Sequence, residues 1–517
     1  MTTDVNTTPA ALARAAREFG NAEAIADGDV RISYADLLDR VRTTARALIA
    51  RGIEPGDRIA VWAPNTYHWV IAALGAQYAG AAIVPINTRY TGSEALDLVV
   101  RTQAKGLFVV GPFLKSDRWA ELTRAAAPGD LDHLHTVIRI PFDAAEPAEG
   151  VLDWADLDGI AESVTVEQAD ARAQAVGPDD LADILFTSGT TGKSKGVMTA
   201  HRQTIRVAEA WGDCAEVTSA DRYLIINPFF HTFGYKAGFV VCILNGATIV
   251  PMALFDVPKV MEKIATEKIS ILPGAPTIHQ TILDFPTRDD YDLSSLRVAI
   301  TGAAAVPVTL VERLQSELSY KAVLTAYGQT EAVVVTMCRT DDDPVTVSTT
   351  SGRAVPGMEV RIGEQGEILV RGDAIMLGYL DDPESTAKTI DADGWLHTGD
   401  VGVMDERGYI DITDRLKDMY ISGGFNVYPA EIENTLARID AVAESAVIGI
   451  PDERMGEVGR AYVVAKPGRT VTADEVLAFC KEHLANFKIP REVTVRDSLP
   501  RNPSGKVLKN ELREDKS

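Results

Sequence analysis

Residues Ala182-Asp-Ile-Leu-Phe-Thr187-Ser-Gly-Thr-Thr-Gly-Lys-Ser-Lys-Gly196 decide how this chain is read. Ala182 to Phe186 is short and largely apolar, which predicts a buried strand. It runs directly into Thr187, Ser188, Gly189, Thr190, Thr191, Gly192, Lys193, Ser194, Lys195 and Gly196. Small hydroxyl residues and glycines let backbone amides approach a phosphate chain, and Lys193 and Lys195 add charge. A hydrolytic P-loop needs a Gly, four residues, then Gly-Lys-Ser/Thr. Gly192-Lys193-Ser194 fits its end, but Thr187 stands where the first Gly belongs. No apolar strand ending in a well-placed magnesium acid accompanies it. The stretch predicts phosphate binding and argues against the P-loop class.

Around it, the first half of the chain alternates short apolar strands with amphipathic helices. Asp57–Ala63 reads as a strand, Thr66–Tyr78 as a helix and Ala81–Pro85 as the next strand. Similar strands are expected at Gly106–Gly111, Tyr223–Asn227, Ile269–Pro273 and Leu296–Thr301. That βαβ rhythm predicts parallel sheets covered by helices. Residues 340–352 are polar and poor in large apolar groups, so a loop is expected there. After Asp414-Arg-Leu-Lys-Asp418 the pattern becomes that of a small α/β unit. Pro429 should open a helix, and Thr472 with Glu475 should form a capping box. The expected fold class is α/β: a large domain of layered, mostly parallel sheets at 1–413, a hinge at 414–418, and a small mobile α/β domain at 418–517.

The 517 residues carry 51 Lys and Arg against 74 Asp and Glu, a net charge of −23. Such a surface repels nucleic acid and anionic membrane, so a broad interface with either is not expected. Cys214, Cys242, Cys338 and Cys480 lie far apart and form no CxxC pair, so buried thiols in a reducing compartment are the better reading. The start MTTDVNTTPA lacks a signal-peptide pattern, and no apolar run reaches about 18 residues. A cytoplasmic protein without a membrane span is expected.

Other runs carry chemistry. Tyr327-Gly328-Gln329-Thr330-Glu331 follows a strand-like segment, and an aromatic face beside an acid suits a purine and a hard cation. Thr301-Gly302-Ala303-Ala304-Ala305 is small enough for a flat ligand to approach closely. Pro228-Phe-Phe-His231-Thr-Phe-Gly234 sets a histidine among aromatics, and Asp393–Asp400 is bracketed by turn glycines. Leu499–Lys506 puts a lysine on a Gly-containing loop near the end. Singly, each has a bland alternative as a turn, core residue or exposed tail.

Taken in order over essentially the whole chain, these runs resemble the motifs of the adenylate-forming superfamily, which includes acyl-CoA synthetases, peptide-synthetase adenylation domains and firefly luciferase. The resemblance implies that Thr187–Lys195 cradles ATP phosphates and that Tyr327 stacks on adenine beside Gly302, Ala303 and Ala304. It implies that Thr330 meets the α-phosphate, that Glu331 and Thr190 hold Mg²⁺, and that Asp400 and Arg415 take the ribose. It makes Lys506 the catalytic lysine, His231 the gate of the acyl pocket, Lys417 the pivot, and Gly423 with Gly424 the passage for the pantetheine arm of coenzyme A. The implied reaction has two steps: acyl-AMP forms with release of pyrophosphate, then a thiol captures the acyl group.

Within the superfamily, the chain looks closest to acyl-CoA synthetases of steroid breakdown that activate a ring C/D propanoate. Medium-chain fatty acids and aryl acids are the alternative substrates. No acid sits near the start of the His231 run, which disfavours amino acids. The motifs leave open a luciferase-like oxygenase and, less readily, a non-catalytic nucleotide-binding protein. The expected partner is a small carboxylic acid, and a homodimer is compatible with the sequence.

Overall fold

Parallel strands follow from the βαβ rhythm in the computed structural model, which describes residues 5–143, 147–187, 194–302, 306–416, 418–422, 425–452, 454–501 and 507–514. The chain divides into two compact units. One holds residues up to Glu359 with Val370–Gly394 and Arg407–Tyr409; the other holds Val360–Leu369, Trp395–Glu406 and Ile410 onward. Compactness therefore groups segments before residue 413 with the second unit.

The first unit contains two large sheets. An eight-stranded sheet runs in the order Gly378–Tyr379, Lys195–Ala200, Leu181–Thr187, Ala82–Pro85, Arg58–Trp62, Gly106–Val110, Thr136–Ile140, Val151–Asp153. From Leu181–Thr187 onward every neighbour is parallel, while the pairs before it are antiparallel. Strands such as Gly106–Val110 are buried along their whole length, as a parallel sheet covered on both faces requires. Trp62, Val84, Val99, Leu107 and Ile184 share the core on one side.

The second sheet has nine strands. Arg353–Ala354, Ala332–Met337, Ala322–Gln329, Val298–Gly302, Ile271–Pro273, Arg222–Ile225, Thr248–Pro251, Glu23–Asp27 and Val30–Ser33 lie side by side in that order. Its middle is parallel and both edges are antiparallel hairpins. The helix Tyr67–Tyr78 is buried on every side and packs against strands of both sheets. A helix without a polar face has to be interior, and this one is the layer between the sheets.

Residues 340–352 are not the uninterrupted loop that their composition suggests. Polar composition predicts a loop, but Pro344–Thr349 is helical, with the Asp343 carboxylate accepting from the amides of Val345 and Thr346. Asp at the N-cap and Pro in the first turn start a helix that hydropathy alone does not signal.

In the second unit, Tyr420–Ser422, Gly456–Ala465 and Val442–Asp452 form an antiparallel sheet, with Glu492–Arg496 added in parallel. The expected helices are present at Pro429–Leu436 and Ala473–His483, the latter with the Thr472–Glu475 capping box. Ile432, Leu436, Val476 and Cys480 cover one face of the sheet, and Leu499 with Leu512 covers the other.

Candidate functional site

Each large sheet places an antiparallel hairpin next to its parallel core, and the two hairpins carry the two strongest motifs. In the first, Leu181–Thr187 pairs with Lys195–Ala200, and Thr187 stands directly opposite Lys195. Thr187 and Lys195 therefore mark the two feet of the phosphate-loop candidate. Beside it, Nη1 of Arg101 donates to Oγ of Ser194 at 3.3 Å while its guanidinium lies over the Phe186 ring. Arg101 adds a cation at the loop that the motif did not signal.

In the second hairpin the strand runs further than expected, through Gln329, so Thr330 and Glu331 form the turn and Ala332 faces Gln329. Tyr327 is half-buried opposite Thr336. Gly328 lies at a register shift, where a Cβ would stand 2.0 Å from the carbonyl oxygen of Val333. Only glycine permits that approach. Gly302 ends the neighbouring parallel strand opposite Ala326, and its own Cβ would lie 2.6 Å from the Ala326 carbonyl oxygen. The sheet thus brings Gly302 and Tyr327 together at the carboxyl ends of adjacent strands, where open α/β sheets bind ligands.

One segment ties the hairpins to each other. The amides of Leu377 and Leu380 donate to the carbonyls of Met198 and Gly196, so 377–380 pairs along the first hairpin. The Met376 amide donates to the Glu331 carbonyl at 2.8 Å, and Ile375 bridges Ala332 in the second. Tyr379 completes the link. Its hydroxyl donates to Oε1 of Glu331 at 2.8 Å, and Nζ of Lys195 lies 4.6 Å from its ring centroid. Burial, followed by the Glu331 charge, raises the Tyr379 pKa, so the phenol keeps its proton.

Among the described residues no three His, Cys, Asp or Glu side chains cluster as metal ligands. Glu331 alone nevertheless suits Mg²⁺, which characteristically binds through one or two carboxylates together with substrate phosphates.

His231 follows the Arg222–Ile225 strand and caps the helical turn Thr232–Gly234, with Nδ1 accepting from the Phe233 amide at 3.2 Å. A neutral ring bonded in this way carries its proton on Nε2. Solvent reaches this side chain, yet surrounding protein lowers its pKa. An exposed ring is not a packed core position. The helical run continues through a π-turn, Tyr235–Phe239, a local form often found at functional sites.

In the second unit Asp400 and Arg415 face each other across the Leu396–Met404 and Ile410–Arg415 strands, with Nε 3.1 Å from Oδ1. The carboxylate is buried and the guanidinium partly exposed. A groove of about 280 Å³ lined by Thr398, Gly399, Arg415 and Leu416 adjoins the pair. Ser188, Gly189, Thr190, Thr191, Gly192, Lys193, Ala303, Ala304, Lys417, Gly423, Gly424 and Lys506 lie outside the described residues.

Sequence reasoning missed Tyr379 and a buried pair beneath the site, Asp183 with Lys236. An acid inside the apolar strand ADILF and a lysine inside the apolar helix YKAGF were the available signal. Opposite charges embedded in apolar runs must find each other or remain uncompensated.

Residues 12–380 match the model of the AMP-binding enzyme family, and 431–506 match the AMP-binding enzyme C-terminal domain. A 3-[(3aS,4S,7aS)-7a-methyl-1,5-dioxo-octahydro-1H-inden-4-yl]propanoyl:CoA ligase of Rhodococcus jostii (strain RHA1) is 71% identical over 517 residues, covering 100% of both chains. The ligase of the same name from Mycobacterium tuberculosis (strain ATCC 25618 / H37Rv) is 54% identical, covering 99% of this chain and 100% of its own. ATP-bound MatB from Rhodopseudomonas palustris superposes with a TM-score of 0.85 at 31% identity, covering 98% of each chain.

Proposed function

The chain belongs to the AMP-binding enzyme family, and from that premise we propose that it activates the 7a-methyl-1,5-dioxo-octahydroindenyl propanoate named for its two relatives, joining it to coenzyme A. The protein is an ATP-dependent, AMP-forming acid–CoA ligase that uses ATP, Mg²⁺ and coenzyme A. The observation that carries the substrate is the 71% identity sustained from end to end with the Rhodococcus ligase. The acid is that left from steroid rings C and D.

In the reaction we infer, the loop from Thr187 to Lys195 binds the phosphates, and Tyr327 stacks on adenine beside Gly302. Thr330 donates to the α-phosphate while the substrate carboxylate attacks the phosphorus and pyrophosphate departs. Magnesium, held by Glu331 and Thr190, would supply neutralisation of phosphate charge. Lys506 offsets the charge that develops as pyrophosphate leaves. Asp400 and Arg415 orient the ribose. His231, with its pKa lowered and its Nδ1 bonded to the Phe233 amide, would border the acyl group.

For the second step, a rotation of the lid about 414–418, pivoting at Lys417, would exchange Lys506 for Gly423 and Gly424. Coenzyme A would then attack the acyl-AMP. The four cysteines are free thiols and buried, which supports a reducing, cytoplasmic setting. Among the described residues no helix is long and apolar enough to cross a membrane.

The test is CoA consumption by purified protein with the bicyclic propanoate, octanoate and coumarate in parallel. The bicyclic acid should give the highest kcat/KM by at least tenfold. A higher value for either of the others would overturn the substrate.

A further inference from the structure

Resting on the reading of Glu331 as cation ligand and Lys195 as phosphate ligand, we propose that Tyr379 is the positioning residue that holds both in place and apart from each other. Its hydroxyl occupies Oε1 of Glu331 at 2.8 Å, and its ring seats the Lys195 ammonium at 4.6 Å. Oε2 of the same carboxylate takes no hydrogen bond from a described residue. A flexible lysine near a carboxylate would otherwise neutralise it and withdraw both charges from the ligand. A ring face holds an ammonium more weakly than a carboxylate does, so Lys195 stays available to phosphate. A hydroxyl donating to one carboxylate oxygen fixes the orientation of the group, as outer partners do for metal ligands in general.

The backbone makes this placement specific. Tyr379 pairs with Val197 at the foot of the first hairpin, and its amide donates to Oγ1 of Thr386 at 2.9 Å. Its preceding neighbours bond to the Glu331 turn in the second hairpin. A side chain anchored on one hairpin and reaching the turn of the other sets the spacing between two elements that belong to different sheets.

Tyr379→Phe keeps the ring beneath Lys195 and removes only the hydroxyl. Binding of Mn²⁺ in the presence of α,β-methylene ATP, followed by the electron paramagnetic resonance of free Mn²⁺, should weaken about tenfold. Affinity for the same analogue in EDTA should be unchanged. Tyr379→Leu should weaken both. In a Glu331→Gln background, Tyr379→Phe should have no further effect, because the hydroxyl acts through the carboxylate; a purely structural role would persist there. Thermal midpoints measured alongside verify folding. Should Glu331→Gln weaken Mn²⁺ while Tyr379→Phe does not, the positioning role is overturned and the ligand reading stands. Unchanged Mn²⁺ affinity in Glu331→Gln would overturn the ligand reading itself.

Discussion

Nζ of Lys236 lies 2.9 Å from Oδ1 of Asp183, and neither side chain has any exposed surface. Asp183 is on the strand that leads into the phosphate loop, and Lys236 is in the π-turn that follows His231. Thr204 donates to Oδ2 of the same carboxylate at 3.1 Å. Burial pushes Asp183 up and Lys236 down, while each charge opposes the other's shift. Next to them, Gln77 donates to the Tyr235 hydroxyl and to the Ala182 carbonyl, joining the central helix to the same two elements.

Breaking this pair from one side should be costly. Lys236→Met leaves a buried carboxylate uncompensated and should destabilise the first unit by about 3–5 kcal/mol in urea unfolding. Replacing both, Asp183→Leu with Lys236→Met, should recover most of that loss. A double variant no more stable than the single one would show that the network, not the charge, is what matters.

Gly328→Ala should damage the second hairpin, because its Cβ would stand 2.0 Å from the Val333 carbonyl oxygen. The expected destabilisation is about 1–3 kcal/mol, together with loss of ATP-dependent pyrophosphate exchange. Isothermal titration with ATP and an unfolding curve on the same sample check it.

His68, His201 and His279 are buried, and desolvation lowers each pKa to about 4. With folded values below the unfolded value of about 6.5, the unfolded chain binds more protons at intermediate pH. Their favourable contribution is complete above pH ~6.5 and is lost as pH falls from there toward about 4. Each should add up to about 1.4 kcal/mol per pH unit to the slope. Urea midpoints at pH 7.5, 6 and 5 for wild type and His279→Leu should show a shallower fall in the variant.

Lys506→Ala should abolish acyl-AMP formation and spare thioester formation from supplied acyl-AMP. A bulky residue at Gly424 should do the reverse. Equal loss of both half-reactions in either variant would contradict the division of labour by lid rotation.

The runs Thr187–Lys195 and Tyr327–Glu331 stand out in the sequence because each packs its candidate chemistry into a few adjacent residues. The strand before the first follows from a local rule, whereas the need for glycine at Gly328 comes from the Val333 carbonyl across the hairpin. Helix starts are legible where a capping box or a first-turn proline precedes an apolar face, at Thr472 and Pro429. They were missed at Asp343, where the helix has little apolar surface. The role of Tyr379 was invisible for another reason: its partner Glu331 is 48 residues away, and nothing local to Gly378-Tyr379 specifies it.

The sequence by itself determined the reaction class, because phosphate loops, turn acids and small-residue strand ends are made by neighbours along the chain. Tertiary structure decided which groups work as one. Sheet order set Gly302 beside Tyr327, ran an edge strand from one hairpin to the other, and brought a buried lysine onto a buried acid. Those choices depend on which strands become neighbours and on the need of each enclosed charge for a partner, and neither is written at any single position.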